Sequence, residues 1–218
     1  MSLWRGAVAC LLDALAPPGC LACDAACDAP LLFCHSCGEP ARRAEQLTLT
    51  ATRLELVGPY RPPLSTAIVR FKYQGRPELS RPLSTLLFPA IHALALPDDA
   101  ALVPVPMHPR RLAERGYNQA ALLAQALSRE ARRSCRPRLL RRVRETERQV
   151  GKSRTERLDN VRDVFELNLR QQKRGPARVV LVDDVITTGS TVRACAQALA
   201  VGGVELTAIV ALAHAERG

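Results

Sequence analysis

Residues 178–192, RVVLVDDVITTGSTV, set four apolar residues, two adjacent acids and a small hydroxylated turn in one order. Val179, Val180, Leu181 and Val182 form a short β-branched run bounded by charge, the pattern of a strand buried in a parallel sheet. Asp183 and Asp184 come next, followed by Thr187, Thr188, Gly189, Ser190 and Thr191. The segment VRACAQALAVGG has helical character and closes on Gly202 and Gly203. A strand–loop–helix unit of this kind gathers free backbone N–H groups and the positive end of a helix dipole at its loop, which makes an anion site. The hydroxyls add donors, and Gly189 lets the main chain come close to a phosphate. The two carboxylates accept hydrogen bonds and suit the vicinal hydroxyls of a ribose. Residues 179–202 therefore predict a site for a phosphorylated ribose.

Other phosphate loops fit less well. The chain has no GxxxxGK[ST] and no GxGxxG after a strand, which argues against a P-loop ATPase and a dinucleotide-binding fold. The plain alternative is an ordinary βα turn with a capping threonine and exposed aspartates. The stretch VVLVDDVITTGST resembles the phosphoribosyl-pyrophosphate (PRPP) motif of type I phosphoribosyltransferases. That resemblance implies that Asp183 and Asp184 hold the ribose hydroxyls and stand at the catalytic centre. It also implies that the loop of Thr187, Thr188, Gly189, Ser190 and Thr191 holds the 5-phosphate.

A chain of 218 residues has room for one large α/β domain with a small appendage. Aromatics make up only 4%, so its core must be mostly Leu, Val and Ala. The formal net charge is +10, and residues 129–178, with 17 basic and 7 acidic side chains, account for all of it. Such a segment suits polyanions, either nucleic acid or a pyrophosphate-bearing substrate. The alternative is a solvated face under an arginine-preferring composition, since the only lysines are Lys72, Lys152 and Lys173. No apolar run reaches the roughly 18 residues of a membrane span. Leu3–Leu15 has some signal-peptide character, but Asp13 interrupts it and a CxxC follows. It reads instead as a short helix packed on the domain. The expected compartment is the reducing cytoplasm, where cysteines serve as metal ligands or buried thiols rather than disulfides.

Residues 1–58 read as an N-terminal helix and a cysteine module that ends in a linker entering a strand. Cys20-x2-Cys23 and Cys34-x2-Cys37 lie ten residues apart and can offer four thiolates to one tetrahedral Zn²⁺. Four protein ligands close the coordination sphere, so the site would be structural. Redox dithiols are the alternative, but no thioredoxin-like strand precedes the motif. Cys27 and His35 are spare ligands outside the paired spacing.

Residues 59–218 read as the main domain. Residues 64–95 carry apolar positions at helical spacing broken near Gly75 and Pro77, which predicts two helices with FKYQGR between them. Lys72 and Arg76 there could face an anion or simply end a helix. Residues 102–135 predict a second strand, a loop and a helix. The loop carries Arg110, Arg111 and Arg115 where an α/β sheet binds ligands, and guanidinium groups match phosphate oxygens. These arginines could hold a diphosphate against the first loop, or could be a solvated helix entry. Residues 144–160 lack an apolar face and read as a flexible loop containing Gln149, Lys152 and Arg154: a lid, a nucleic-acid-binding arm, or disorder.

Four pieces resemble one family: the tandem CxxC, VPVPMHPRRLAERGYNQAALLA, the Q-x-G-x-S-R arm with its RLDNV sequel, and VVLVDDVITTGST. Together they cover nearly the whole chain and resemble the ComF (ComFC-like) proteins, phosphoribosyltransferase-like proteins associated with bacterial competence. In those proteins the arm usually reads QxGLS; Lys152 stands at the Leu position here. The resemblance implies a type I phosphoribosyltransferase fold, a parallel sheet flanked by helices, with a small N-terminal zinc module. It implies PRPP at the sheet edge and a role in handling imported single-stranded DNA, and leaves open whether any group is transferred. An enzyme would use Mg²⁺-PRPP, with Arg110, Arg111 and Lys72 on the pyrophosphate. A DNA-binding accessory protein would use the basic arm and the zinc module on the phosphate backbone. A metabolic purine or pyrimidine salvage phosphoribosyltransferase shares the central motif but not the cysteine module.

Overall fold

The computed structural model describes residues 19–28, 30–38, 47–49, 52–143, 164–172 and 175–215. Leu3–Leu15 and the loop residues Gln149, Lys152 and Arg154 lie outside them. In chain order the elements are β1 (Leu47–Leu49), β2 (Thr52–Pro59), α1 (Leu64–Tyr73), a 3₁₀ turn (Pro77–Leu79) and α2 (Ser80–Ala93). Then come β3 (Ala101–Pro104), α3 (Pro109–Arg115), α4 (Gln119–Glu130), β4 (Leu140–Arg142), β5 (Phe165–Leu167) and α5 (Leu169–Gln172). The chain ends with β6 (Arg178–Ile186), α6 (Ser190–Val201) and β7 (Glu205–His214).

The main sheet has the order β1-β2-β7-β6-β3, parallel except for β1, which pairs antiparallel with β2. Side chains alternate across a strand, so each inner strand feeds two cores. Val180, Val182, Val210 and Leu212 face one side, against Ile68 and Phe71 of α1, Leu83 and Leu87 of α2, and Leu123 and Leu127 of α4. Val179, Leu181, Ile209 and Ala211 face the other, against Val192, Cys195 and Leu199 of α6 and the β4–β5 ribbon residues Leu140 and Phe165. The result is a three-layer α/β arrangement, as the apolar runs require.

Two features open the crevice. The helices that follow the adjacent parallel strands β3 and β6 pack on opposite faces, α4 on one and α6 on the other. Ligands bind where neighbouring connections diverge in this way. The β3–β6 pairing also stops early. Val105 still donates to Val182 O at 2.9 Å, but Pro106 has no N–H to give. β6 runs on to Ile186 against β7 alone, so Asp183 and Asp184 lie on a strand open along one edge.

Two elements were not singled out from sequence: β7 occupies the sheet centre, and α3 lies inside the segment read as a loop. The strand that the linker of residues 1–58 enters is β2, Thr52–Pro59, which pairs with β7 in the main sheet. Among the described residues, no helix is long and apolar enough to cross a membrane.

Candidate functional site

Strand alternation sends the two acids in opposite directions. Asp184, buried, meets Lys72 at the end of α1, with Nζ 2.9 Å from Oδ1. Asp183 is half-buried and accepts a hydrogen bond from the Asp184 backbone N–H at 2.9 Å. Burial, reinforced by the neighbouring Asp184 carboxylate, pushes its carboxyl up to about 7; the Asp184 N–H and Lys72 pull the other way.

Beyond the acids, Gly189 takes φ +70° as the residue before α6, a conformation in which a side chain would be strained. The turn that it makes is held locally. The Ser190 N–H donates to Thr188 Oγ1 at 3.4 Å, the two hydroxyls lie 3.0 Å apart, and Arg193 donates to the Thr188 carbonyl at 2.5 Å. Thr187, Ser190 and Thr191 are exposed, so the loop is open to a ligand.

Facing this turn, α3 begins at a His108 cap whose Nδ1 accepts from Arg110 N, and ends at Gly116 with φ +83°. Its arginines diverge. Arg110 turns outward to Glu114 at 3.3 Å, both side chains largely exposed. Arg111 and Arg115 border the cleft. Arg115 lies over the Tyr73 ring at 4.8 Å and donates to Gln119 Oε1 at 2.8 Å. The cleft encloses about 200 Å³ and brings together Lys72, Arg111, Asp183, Asp184 and Thr191 of the predicted set. Arg110, Thr187, Thr188, Gly189 and Ser190 do not line it. Arg76 serves a different end, pairing with Asp24 and Glu78. Asn118, Gln119 and Arg142 line the cleft without having been picked out from sequence. The RGYNQ segment places two amides at the entry to α4, which was a usable signal; Arg142 was one arginine among many.

The cysteine module docks on the opposite side of α1. The sulfur atoms of Cys20, Cys23, Cys34 and Cys37 all lie within 4.8 Å of one another, with Cys23 3.6 Å from both Cys34 and Cys37. Tetrahedral Zn–S bonds near 2.3 Å would place ligand sulfurs about 3.8 Å apart, so the four thiols can hold one metal ion. Burial raises the Cys20 thiol, but backbone N–H groups of Cys34, Ala22 and Cys23 outweigh it and bring it down to about 6. Contacts with the Cys23 and Cys34 sulfurs hold Cys37 up at about 12. Cys27 is outside the cluster, its thiol directed at the Ala25 carbonyl, and His35 is also outside it. The module is tied to α1 by buried Arg70, which donates to the carbonyls of Leu21 at 2.9 Å and Cys20 at 3.4 Å and pairs with Asp24.

The model of the phosphoribosyl transferase domain family matches residues 113–218, the half that carries the paired acids. Competence protein F of Haemophilus influenzae is 39% identical over 169 residues, covering 75% of this chain and 73% of that protein. DNA utilization protein YhgH of Escherichia coli K12 is 38% identical over 193 residues, with 83% of each chain covered. Competence protein ComFC of Bacillus subtilis is 31% identical over 141 residues, covering 64% of this chain and 55% of that one. With the parallel sheet, the acids at the end of β6 and the four-cysteine cluster, these likenesses show that the chain belongs to the competence protein F (ComF) family and has a type I phosphoribosyltransferase fold.

Proposed function

We propose that the protein binds Mg²⁺-PRPP in the cleft between the ends of β3 and β6 and acts in the handling of imported single-stranded DNA. The observation that carries the first half is the placement of Asp183 and Asp184 on an open strand edge, faced by Lys72 and Arg111 across a cleft. The acids accept the ribose hydroxyls, and the Thr187–Thr191 turn donates to the 5-phosphate at the start of α6. Arg111 holds the pyrophosphate together with Lys72, while Arg110 supplies charge at the rim. Mg²⁺, when bound with the ligand, neutralises pyrophosphate oxygens. Should transfer occur, an acceptor nucleophile bonds to C1 as the C1–O bond breaks and pyrophosphate departs with the electron pair. Catalysis would then rest on positioning and electrostatics. Titration calorimetry with Mg²⁺-PRPP tests the binding. The wild type gives saturable heat and the doubly substituted Asp183→Asn/Asp184→Asn protein gives none; equal binding by both overturns the assignment.

The second half rests on the relatives, whose names speak of competence and DNA utilization. The described part of the basic segment exposes Arg129, Arg132, Arg136, Arg138 and Arg141, the last paired with Glu166 at 2.7 Å, cations of the kind that contact a phosphate backbone. With few aromatics, affinity for a single strand is expected to be electrostatic and to fall steeply with salt. Anisotropy titrations of a labelled oligonucleotide between about 50 and 200 mM salt check this, and a salt-insensitive affinity would count against it. Nothing in the cleft or the relatives favours a salvage enzyme. The four cysteines hold Zn²⁺ as a structural ion, whose coordination supplies folding free energy that a module with few buried apolar residues lacks. Metal analysis is expected to return one zinc per chain.

A further inference from the structure

Gln119 opens α4 and lines the cleft, yet it is only 1% exposed. Its two polar ends are treated very differently. Oε1 accepts from Arg115 Nη1 at 2.8 Å. A guanidinium only donates, so this contact fixes which end of the amide is oxygen and which is nitrogen. The nitrogen, Nε2, is buried with no hydrogen-bond partner. Buried donors are almost always paired, so an orphan at the wall of a cleft asks for an acceptor that arrives from outside. Thr207 Oγ1, the other such atom among the described residues, belongs to β7 and does not border the cleft.

The surroundings say what that acceptor is. Gln119 is the first residue of a twelve-residue helix whose Asn118 cap accepts from Ala121 N, so the positive dipole end lies here. Arg111 and Arg115 stand on the same side, and the carboxylates come from the other strand end. An anionic oxygen fits this position better than a hydroxyl.

We propose that Gln119 Nε2 donates to a phosphate oxygen of the ligand's pyrophosphate and that Arg115 is the positioning residue that aims it. The inference deepens the PRPP reading and rests on it. The nitrogen is shielded from water by the side chains around it, so a bordering side chain shifts when the ligand enters. The amide is thus a donor held in reserve, without a protein acceptor and satisfied on binding.

The test uses the full-length, metal-loaded chain, titrated by calorimetry with Mg²⁺-PRPP and separately with magnesium pyrophosphate. Gln119→Met is similar in length and removes the Nε2 donor, together with the Oε1 that accepts from Arg115, without adding charge. We expect at least a tenfold loss of affinity for both ligands, with a melting temperature within about 2 °C of the wild type, since removal of an orphan buried amide nitrogen offsets the lost Arg115 contact. A residue kept only for structure would show the reverse, lower melting temperature with affinity unchanged. As a measurement that needs no variant, the side-chain amide signals of ¹⁵N-glutamine-labelled wild type should include one pair that moves on saturation with pyrophosphate. Wild type that takes up neither ligand overturns the PRPP reading and this inference with it. Wild type that binds while Gln119→Met stays within twofold, or amide signals that do not move at saturation, overturns the inference alone.

Discussion

The two strand ends that meet at the cleft hold their functional groups by different means. At the end of β6 the strand itself carries them. Asp183 and Asp184 are still in the ladder with β7, and Asp184 is locked by Lys72. At the end of β3 the ladder stops, and the charged groups ride on α3, a seven-residue helix without one buried residue. Arg110 is held by Glu114, Arg115 by Gln119 and Tyr73, and Arg111 is exposed. One side is fixed by the fold and the other is adaptable, which suits a rigid ribose on the first and a rotatable pyrophosphate on the second. Substitutions at the β6 end should therefore change stability and binding together, and those at the β3 end binding alone.

The sharpest break comes from Asp184→Asn. Lys72 is mostly buried and loses its counter-charge, while the ribose loses an acceptor. We expect a stability loss of about 1–3 kcal/mol by denaturant melts and an affinity for Mg²⁺-PRPP lowered by more than about thirtyfold, or about 2 kcal/mol. Unchanged stability would show that the β6 end is no more fixed than the β3 end.

A pH titration sharpens the same contrast. Burial and Asp184 raise the Asp183 carboxyl from 3.8 to about 7. Between those values the folded chain keeps a proton that the unfolded chain has released, so this group's contribution to stability falls as pH rises and its penalty is complete above about 7. The ionised carboxylate accepts bonds from ribose hydroxyls more strongly than the protonated group. Affinity for Mg²⁺-PRPP should rise about tenfold between roughly pH 6 and pH 8, with proton uptake by buffer on binding near neutrality. Asp183→Asn should flatten both profiles. A wild-type profile with no such rise would mean that Asp183 is already ionised below neutral pH before the ligand binds.

What could be read from sequence follows the same division. The β6 unit was legible because a buried strand, its acids and its glycine turn each leave a strict local pattern, and they sit where that pattern puts them. The two helices on either side of Gly75 were legible for the same reason. β7 was not singled out, although its residues 208–213, AIVALA, are a continuous apolar run; its place at the sheet centre is set by pairing with β2 and β6, which no local signal encodes. α3 escaped because PRRLAER has too few apolar residues to show a face, and a proline start, a histidine cap and a closing glycine are all that define it. Lys72 was suspected as an anion ligand from its neighbours in FKYQGR; its partnership with Asp184 depends on α1 packing over the sheet. The RGYNQ amides signal a polar helix entry, but that Gln119 is buried with an unpartnered nitrogen is set by the fold and by no local pattern.

The smallest effects test the β3 end most finely, because they separate two adjacent residues of identical chemistry. Arg111→Ala should weaken Mg²⁺-PRPP binding about fivefold to tenfold, the worth of one charge-assisted contact at an exposed site. Arg110→Ala should change it by less than about threefold. Its guanidinium is directed away from the cleft to Glu114, and an exposed pair four residues apart on a helix contributes only about 0.3–0.5 kcal/mol to stability. Neither variant should shift the melting temperature by more than about 2 °C, because neither side chain is buried and α3 adds nothing to either core. The ionic-strength dependence separates direct contact from long-range attraction. A rim charge acts through a field that salt screens over about 8–10 Å. Any effect of Arg110→Ala should therefore vanish as salt is raised, while that of Arg111→Ala persists. Equal losses for the two variants at high salt would mean that α3 turns on binding to bring both arginines onto the ligand, and the adaptable side of the cleft would then be the one that moves.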